Sequence, residues 1–133
     1  MKSHCAVIFT YLVFLVLVTA YTDPRQANRV RAAQFHHRLS HAVNQGTLTA
    51  VGSLVAPRLA YFTCIGQRRD RLEFKQRSDY LRDIMAWGTG RIVSVENPFQ
   101  GVTYFEVSIN GRVFQYAVTN TDMILHSVRE RGC

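Results

Sequence analysis

Three histidines lie close together in the first third of the chain, at His36, His37 and His41. If this segment is helical, His37 and His41 lie one turn apart on one face, a spacing at which two imidazoles can hold a transition metal. A stable site needs a third and usually a fourth ligand, and the sequence assigns none. We therefore predict a solvated, pH-sensitive histidine face and no cofactor or metal, with His37 and His41 as weak candidates.

The same histidines carry the enzymatic alternative, a small secreted hydrolase of ribonuclease type. A helix histidine and His126 could act as acid and base beside a cation. Small secreted ribonucleases of the pancreatic type rest on several disulfides, and this chain can make one in its mature form. No G-x-S-x-G elbow and no phosphate-binding glycine loop occurs. We therefore assign no catalytic residue and consider catalysis the less favoured reading.

The second chemical feature is a strong arginine bias. The chain has 16 lysines and arginines against 9 acids, a formal net charge of +7, and only two of the cations are lysine. Arginine's planar fork binds sulfate, phosphate or carboxylate in a bidentate way. The densest cluster is Arg68, Arg69 and Arg71, a spacing typical of heparin-binding segments. We predict this cluster as the polyanion- or partner-binding site, with a solvated charged loop as the alternative.

The first twenty residues have the three parts of a secretory signal peptide. A short basic start precedes the uncharged run Ala6–Val18, and small residues close it at Ala20. We predict cleavage after Ala20, so that residues 21–133 form one secreted domain without a transmembrane segment. The alternative is an uncleaved signal anchor that holds the domain at a membrane surface.

Two cysteines, Cys64 and Cys133, remain in the predicted mature chain, since Cys5 leaves with the leader. In an oxidising compartment an internal Cys64–Cys133 disulfide is the natural pairing. The alternative is that Cys133, the last residue, links this chain to a partner.

Apolar periodicity predicts one long helix that begins at Asp23-Pro24 and ends at Gly46. Its core face comprises Ala32, Phe35, Leu39, Ala42 and Val43. Strands are predicted at 58–65 and 71–76, joined by a hairpin loop at 66–70. A short helix capped by Ser78-Asp79 then runs to about Trp87.

The C-terminal part carries the clearest strand signals. A strand is predicted at 91–96, and Asn110-Gly111 predicts a tight hairpin between strands 102–109 and 112–120. The two-residue turn sets the register, which pairs Ile109 with Arg112, Val107 with Phe114, Phe105 with Tyr116 and Thr103 with Val118. We expect residues 123–131 to form a terminal helical turn, because Asp122 and Arg129 suit the helix dipole.

The sum is an α+β domain in which a long N-terminal helix packs on an antiparallel sheet of four to five strands. This order resembles the cystatin superfamily in topology. The glutamine-valine-glycine hairpin of that family has no counterpart here, where Ser53–Pro57 occupies the comparable stretch. The paired C-terminal disulfides of secreted cystatins are also missing, so the resemblance implies a fold and no activity.

These features together predict a small, basic, arginine-rich secreted protein that acts by binding. The expected partner is an extracellular protein or a sulfated glycan, since outside the cell those surfaces carry negative charge. No dedicated nucleic-acid motif occurs. An effector, an inhibitor or a subunit of an extracellular complex would all fit this pattern.

Overall fold

The structure is a computed structural model that describes residues 24–66 and 68–133, with residues 68–70 described by their backbone alone. The predicted leader, residues 1–20, lies outside the described residues. The helices are α1 (Pro24–Asn44), α2 (Leu48–Gly52) and α3 (Arg77–Trp87), and the strands are β1 (Val55–Ile65), β2 (Arg68–Lys75), β3 (Arg91–Val95), β4 (Val102–Ile109), β5 (Arg112–Thr119) and β6 (Leu125–Glu130). None of these helices is long and apolar enough to cross a membrane.

The strands form one sheet in the order β2-β1-β6-β5-β4-β3. The α+β class is confirmed, with six strands rather than four to five. The sheet is also mixed rather than purely antiparallel, because β6 pairs parallel to β1 and antiparallel to β5. The last strand of the chain therefore lies in the middle of the sheet and joins its two halves.

The predicted terminal helical turn is wrong, since this segment forms β6. Leu125 and Val128 are fully buried among neighbouring strands, and a central strand satisfies its backbone groups on both sides. The charge pattern that suggested a helix serves the β5–β6 turn instead. There Asp122 accepts hydrogen bonds from the Thr119 hydroxyl and the Ile124 backbone N–H. Tertiary pairing outweighs a helix-dipole signal that is small at an exposed end.

The Asn110-Gly111 hairpin is confirmed, and its register is the predicted one in all four pairs. Both turn residues have positive φ, 53° at Asn110 and 75° at Gly111, as a two-residue turn of this type requires. One face of the hairpin is buried against the helices by Phe105, Val107, Phe114 and Tyr116. The hairpin therefore provides much of the sheet surface on which the helices pack.

Helix α1 covers β3 and β4, and α3 covers β1, on the same side of the sheet. The predicted stripe of α1 is buried at Ala32, Phe35, Leu39 and Ala42, while Val43 is partly buried. On α3, Tyr80 reaches the core and its hydroxyl lies 2.9 Å from that of Tyr116. The opposite face of the sheet, called the outer face below, is covered by no helix within the described residues.

Helix α3 begins slightly earlier than predicted. Gln76, rather than Ser78 or Asp79, occupies the N-cap, and Asp79 at the third helical position completes a capping box. The Asp79 carboxylate accepts the Gln76 backbone N–H at 2.9 Å. The helix ends at Gly88, and Gly90 then passes so close to the Ser108 carbonyl that a Cβ would lie 2.0 Å from its oxygen. Only glycine fits that approach.

Candidate functional site

The arginine cluster lies on an edge strand rather than in the predicted loop 66–70, because β2 already begins at Arg68. Ile65 pairs with Arg68 while Cys64 pairs with Leu72, so residues 69–71 have no ladder partner on β1. This irregularity sets Arg69 and Arg71 outside the regular ladder. The side chain of Arg71 is exposed. Those of Arg68 and Arg69 lie outside the described side chains.

Positive charge on the described surface is mostly uncompensated. Exposed arginines whose side chains make no ion pair or hydrogen bond with a described residue are Arg29, Arg38, Arg58, Arg71, Arg91 and Arg129. They are distributed over α1, β2, β3 and the outer face. Only Arg71 among them belongs to the predicted cluster.

Strand β2 carries the arginine cluster and is called the arginine strand below. Beside it lies an open polar hollow of about 700 Å³, which we call the strand-end hollow. It is formed where β1 and β6 end, where β5 begins and along β2. Its charged and polar lining comprises Thr63, Glu73, Lys75, Arg112, Glu130 and Arg131. The sequence does not predict this hollow, because its members come from four strands and share no local motif.

An Arg112–Glu130 ion pair forms the floor of the hollow. The Arg112 guanidinium forms two hydrogen bonds to the Glu130 carboxylate, one of them from Nε at 3.0 Å, and its Cζ lies 5.1 Å from the centre of the Trp87 ring. Glu130 Oε1 also accepts the Cys64 backbone N–H at 3.0 Å. The pair is therefore bidentate, stacked on an aromatic ring and tied to β1.

The protonation of this pair is fixed by the same contacts. Burial disfavours the ionised carboxylate, but hydrogen bonds from Arg112 and Cys64, with the charge of Lys75, outweigh it and lower the pKa of Glu130. The hydrogen bond to Glu130 raises the pKa of Arg112, against its partial burial. Both groups stay charged at neutral pH, and the Glu130 oxygens already accept hydrogen bonds from Arg112 and from the Cys64 backbone.

Two other groups in the hollow lack partners among the described residues. Thr63 is 1% exposed, yet its hydroxyl has no hydrogen-bond partner. Lys75 is half-buried and makes no ion pair or hydrogen bond through its ammonium. The two are neighbours, since Tyr61 pairs with Lys75 and Thr63 pairs with Glu73 in the β1–β2 ladder. A buried hydroxyl without a partner is rare in folded proteins.

Cys64 and Cys133 form a pair at disulfide distance, with Cα atoms 5.4 Å apart, and Cys64 borders the hollow. This separation lies inside the range that a disulfide spans. Their sulfurs and the Glu130 carboxylate are also close enough together to form a three-ligand group. Because the sulfurs are at bonding distance, a disulfide would remove the thiolates that such a metal site needs.

The three helix histidines differ in their exposure and in their hydrogen-bond partners. His36 Nε2 lies 3.1 Å from the Thr89 carbonyl oxygen, which joins α1 to the loop before β3. His37 and His41 are exposed, and the His41 ring contacts only the Gln45 amide, at 3.1 Å. Within residues 24–66 and 68–133 no third His, Cys, Asp or Glu completes a metal set with these two.

The acid–base pair of the hydrolase alternative is not brought together. His126 follows Leu125, which is level with Val118 and Thr103 across the sheet. His36 is held at Thr89, next to the Gly90–Ser108 contact. Thr103 and Ser108 are five residues apart on β4, or about 17 Å along a strand. The two imidazoles thus lie at opposite ends of the sheet.

The arginine cluster and the strand-end hollow therefore share one end of the sheet, and no histidine of the described residues lines the hollow. Comparison with known proteins found no matching family model and no matching curated protein.

Proposed function

We propose that this protein is a small secreted binding protein that engages an anionic glycan through the arginine strand β2 and the adjoining hollow. The observation that carries the proposal is a cationic edge strand, with Arg71 exposed, beside a hollow that holds Lys75; neither side chain has an acid partner among the described residues. Arginine binds sulfate and carboxylate through a fork, and several such contacts along a chain add up by avidity.

Binding is favoured over catalysis by the state of the titratable groups. In the hollow, the buried carboxylate of Glu130 is neutralised by Arg112 in a bidentate pair. The only tyrosine–carboxylate contact of the described residues joins Tyr61 to Asp83 at 2.8 Å, and burial together with this hydrogen bond raises the pKa of Tyr61 well above its ordinary value. Neither arrangement supplies a group that gains and loses a proton near pH 7.

Secretion is part of the same proposal. The leader pattern of residues 1–20 supports it, and so does the pair Cys64 and Cys133 at disulfide distance, because disulfides persist mainly in oxidising compartments. Mass measurement of the product released into the medium should find Tyr21 as its first residue. A product that retains Met1–Ala20 would instead support the signal-anchor alternative.

The binding site is tested by retention on a sulfated matrix. Replacement of Arg68, Arg69 and Arg71 by alanine should lower the salt concentration needed for elution, because ion contacts with a polyanion weaken as salt rises. The matched control replaces Arg29, Arg38 and Arg58, three exposed arginines elsewhere without described acid partners. Both triple variants have the same net charge.

The possible outcomes distinguish a specific glycan site on β2 from a general effect of net charge. A larger loss in the β2 variant than in the control supports a glycan site on β2. Equal losses contradict it and leave only net charge. No loss in either variant, with binding of an acidic protein retained, would replace the glycan by a protein partner.

A further inference from the structure

We infer that the strand-end hollow contains a specific subsite for one oxyanion group, a sulfate or a carboxylate, bound between the Lys75 ammonium and the Thr63 hydroxyl. This inference rests on the proposed function and deepens it, since it identifies the chemical group that would be recognised. The arginine strand would supply general attraction, and the subsite would supply selection.

The first support is the unused hydrogen-bonding capacity at this place. Thr63 is almost completely buried on β1, and its hydroxyl neither donates nor accepts a hydrogen bond among the described residues. Thr63 lines the hollow together with Lys75. A hydroxyl donor next to an ammonium matches an oxygen acceptor that carries negative charge.

The second support is the charge balance of the hollow. The Glu130 carboxylate is already matched by Arg112, so Lys75 is not needed to compensate it by direct contact. Lys75 and Glu130 both line the hollow. Arg131 lines the hollow too, and it is only loosely paired, with its Nε 3.9 Å from the Glu106 carboxylate. The lining thus presents three cations, Lys75, Arg112 and Arg131, against two carboxylates, Glu73 and Glu130.

The third support concerns size and selectivity. Lysine presents a compact point charge, which suits a single oxyanion better than an extended bidentate pair. Glu73 pairs with Thr63 in the ladder, is exposed and also lines the hollow. Its negative charge repels every anion at this place, the first as much as a second. We expect the flexible Glu73 side chain to move away when the ligand reaches the buried hydroxyl.

The test uses small probes that cannot span the arginine strand: inorganic sulfate, free glucuronate and a monosulfated disaccharide. Binding to the secreted chain is followed by calorimetry and by amide NMR shifts at low salt. Thr63→Val removes the hydroxyl at nearly constant shape, and Lys75→Gln removes the charge. Each should weaken binding of the preferred probe roughly tenfold, as expected for a hydrogen bond to a charged group.

Two control variants sharpen this result. Arg58→Gln removes an exposed charge outside the hollow and should leave probe affinity nearly unchanged. The Arg68/Arg69/Arg71 triple variant should lose retention on long sulfated chains yet still bind the small probe. If that variant fails on both, or if Thr63→Val and Lys75→Gln bind the probes like the parent, the subsite does not exist. Sulfate or glucuronate as the tighter probe identifies the source of the oxyanion.

Discussion

Two buried threonines on the helix-facing side of the sheet have opposite surroundings. Thr103 on β4 is completely buried, and its hydroxyl donates to the Asn120 side chain at 2.6 Å and lies 3.4 Å from that of Asn28. Thr63 on β1 is 1% exposed, and its hydroxyl has no hydrogen-bond partner in the described part of the chain. The first belongs to a closed polar network and the second borders an open hollow.

The network around Thr103 is an element of structure. Asn28 is 1% exposed and also donates to the Glu96 carbonyl at 3.3 Å, so it fastens α1 to the β3 end of the sheet. The Thr103 hydroxyl and both polar atoms of the Asn28 side chain thus have partners inside the protein. A buried polar group without a protein partner calls for an explanation, such as a bound ligand, ion or water. The difference therefore marks the Thr63 end, and not the Thr103 end, as the place for a ligand.

Removal of the Cys64–Cys133 pair, which lies at disulfide distance, should have the largest effect on this comparison. The double variant Cys64→Ser/Cys133→Ser opens a link across 69 residues and should lower the free energy of unfolding by about 4 kcal/mol on the chain-entropy account. Hydrogen exchange should rise at the hollow before it rises around Asn28. Two free thiols on alkylation of the non-reduced parent would contradict the bridge itself.

Glu130→Gln should have the next largest effect. The variant keeps the shape but loses the charged partner of Arg112, at a cost of about 2 kcal/mol, reduced because Arg112 is one-third exposed to water. Chemical denaturation measures this difference. A matched control is Glu106→Gln, whose contact with Arg131 is longer and more exposed.

The pH dependence of stability tests the same ion pair, because its direction can be predicted. The pKa of Glu130 is lower in the folded protein than in the unfolded chain, so its stabilising contribution is present above about pH 4.3 and is lost as pH falls through the folded value. The stability gap between parent and Glu130→Gln should therefore close in acid. A gap that stays constant down to pH 2 would show that the ion pair contributes nothing.

Thr103→Val should destabilise the protein by about 1–3 kcal/mol. The substitution keeps the buried shape, but Asn120 loses its hydrogen-bond donor and remains partly buried. Thermal unfolding measures the change, and Thr119→Val, at a partly exposed position in the β5–β6 turn, serves as the less costly control. A Thr103→Val variant as stable as the parent would remove the contrast between the two threonines.

An element could be predicted from the sequence when the residues that determine it lie close together along the chain. The Asn110-Gly111 hairpin and the α1 core stripe depend on neighbouring residues, and both are confirmed. The Cys64–Cys133 pairing was also predictable, because few cysteines were available. β6 was not, since its identity as a strand depends on β1, more than sixty residues earlier.

The strand-end hollow escaped prediction for the same physical reason. The residues next to Lys75 and Glu130 in sequence form no recognisable motif. Only the parallel β1–β6 pairing brings their strands close enough to line the same hollow. The arginine cluster was visible because its residues are consecutive. Its placement was less so, because the irregular pairing after Cys64 extends β2 into the predicted loop.

Thr63→Val is the smallest change and the most informative one. Valine has nearly the shape of threonine, so the substitution removes a hydroxyl that has no partner and leaves the packing in place. We expect the free energy of unfolding to stay equal or to rise by up to about 1 kcal/mol, opposite in sign to Thr103→Val, because no internal hydrogen bond is lost and an unpaired polar group disappears. The two valine variants should be compared in one denaturation series. If Thr63→Val is instead less stable than the parent, its hydroxyl has a structural partner, and the hollow loses its main claim to a ligand.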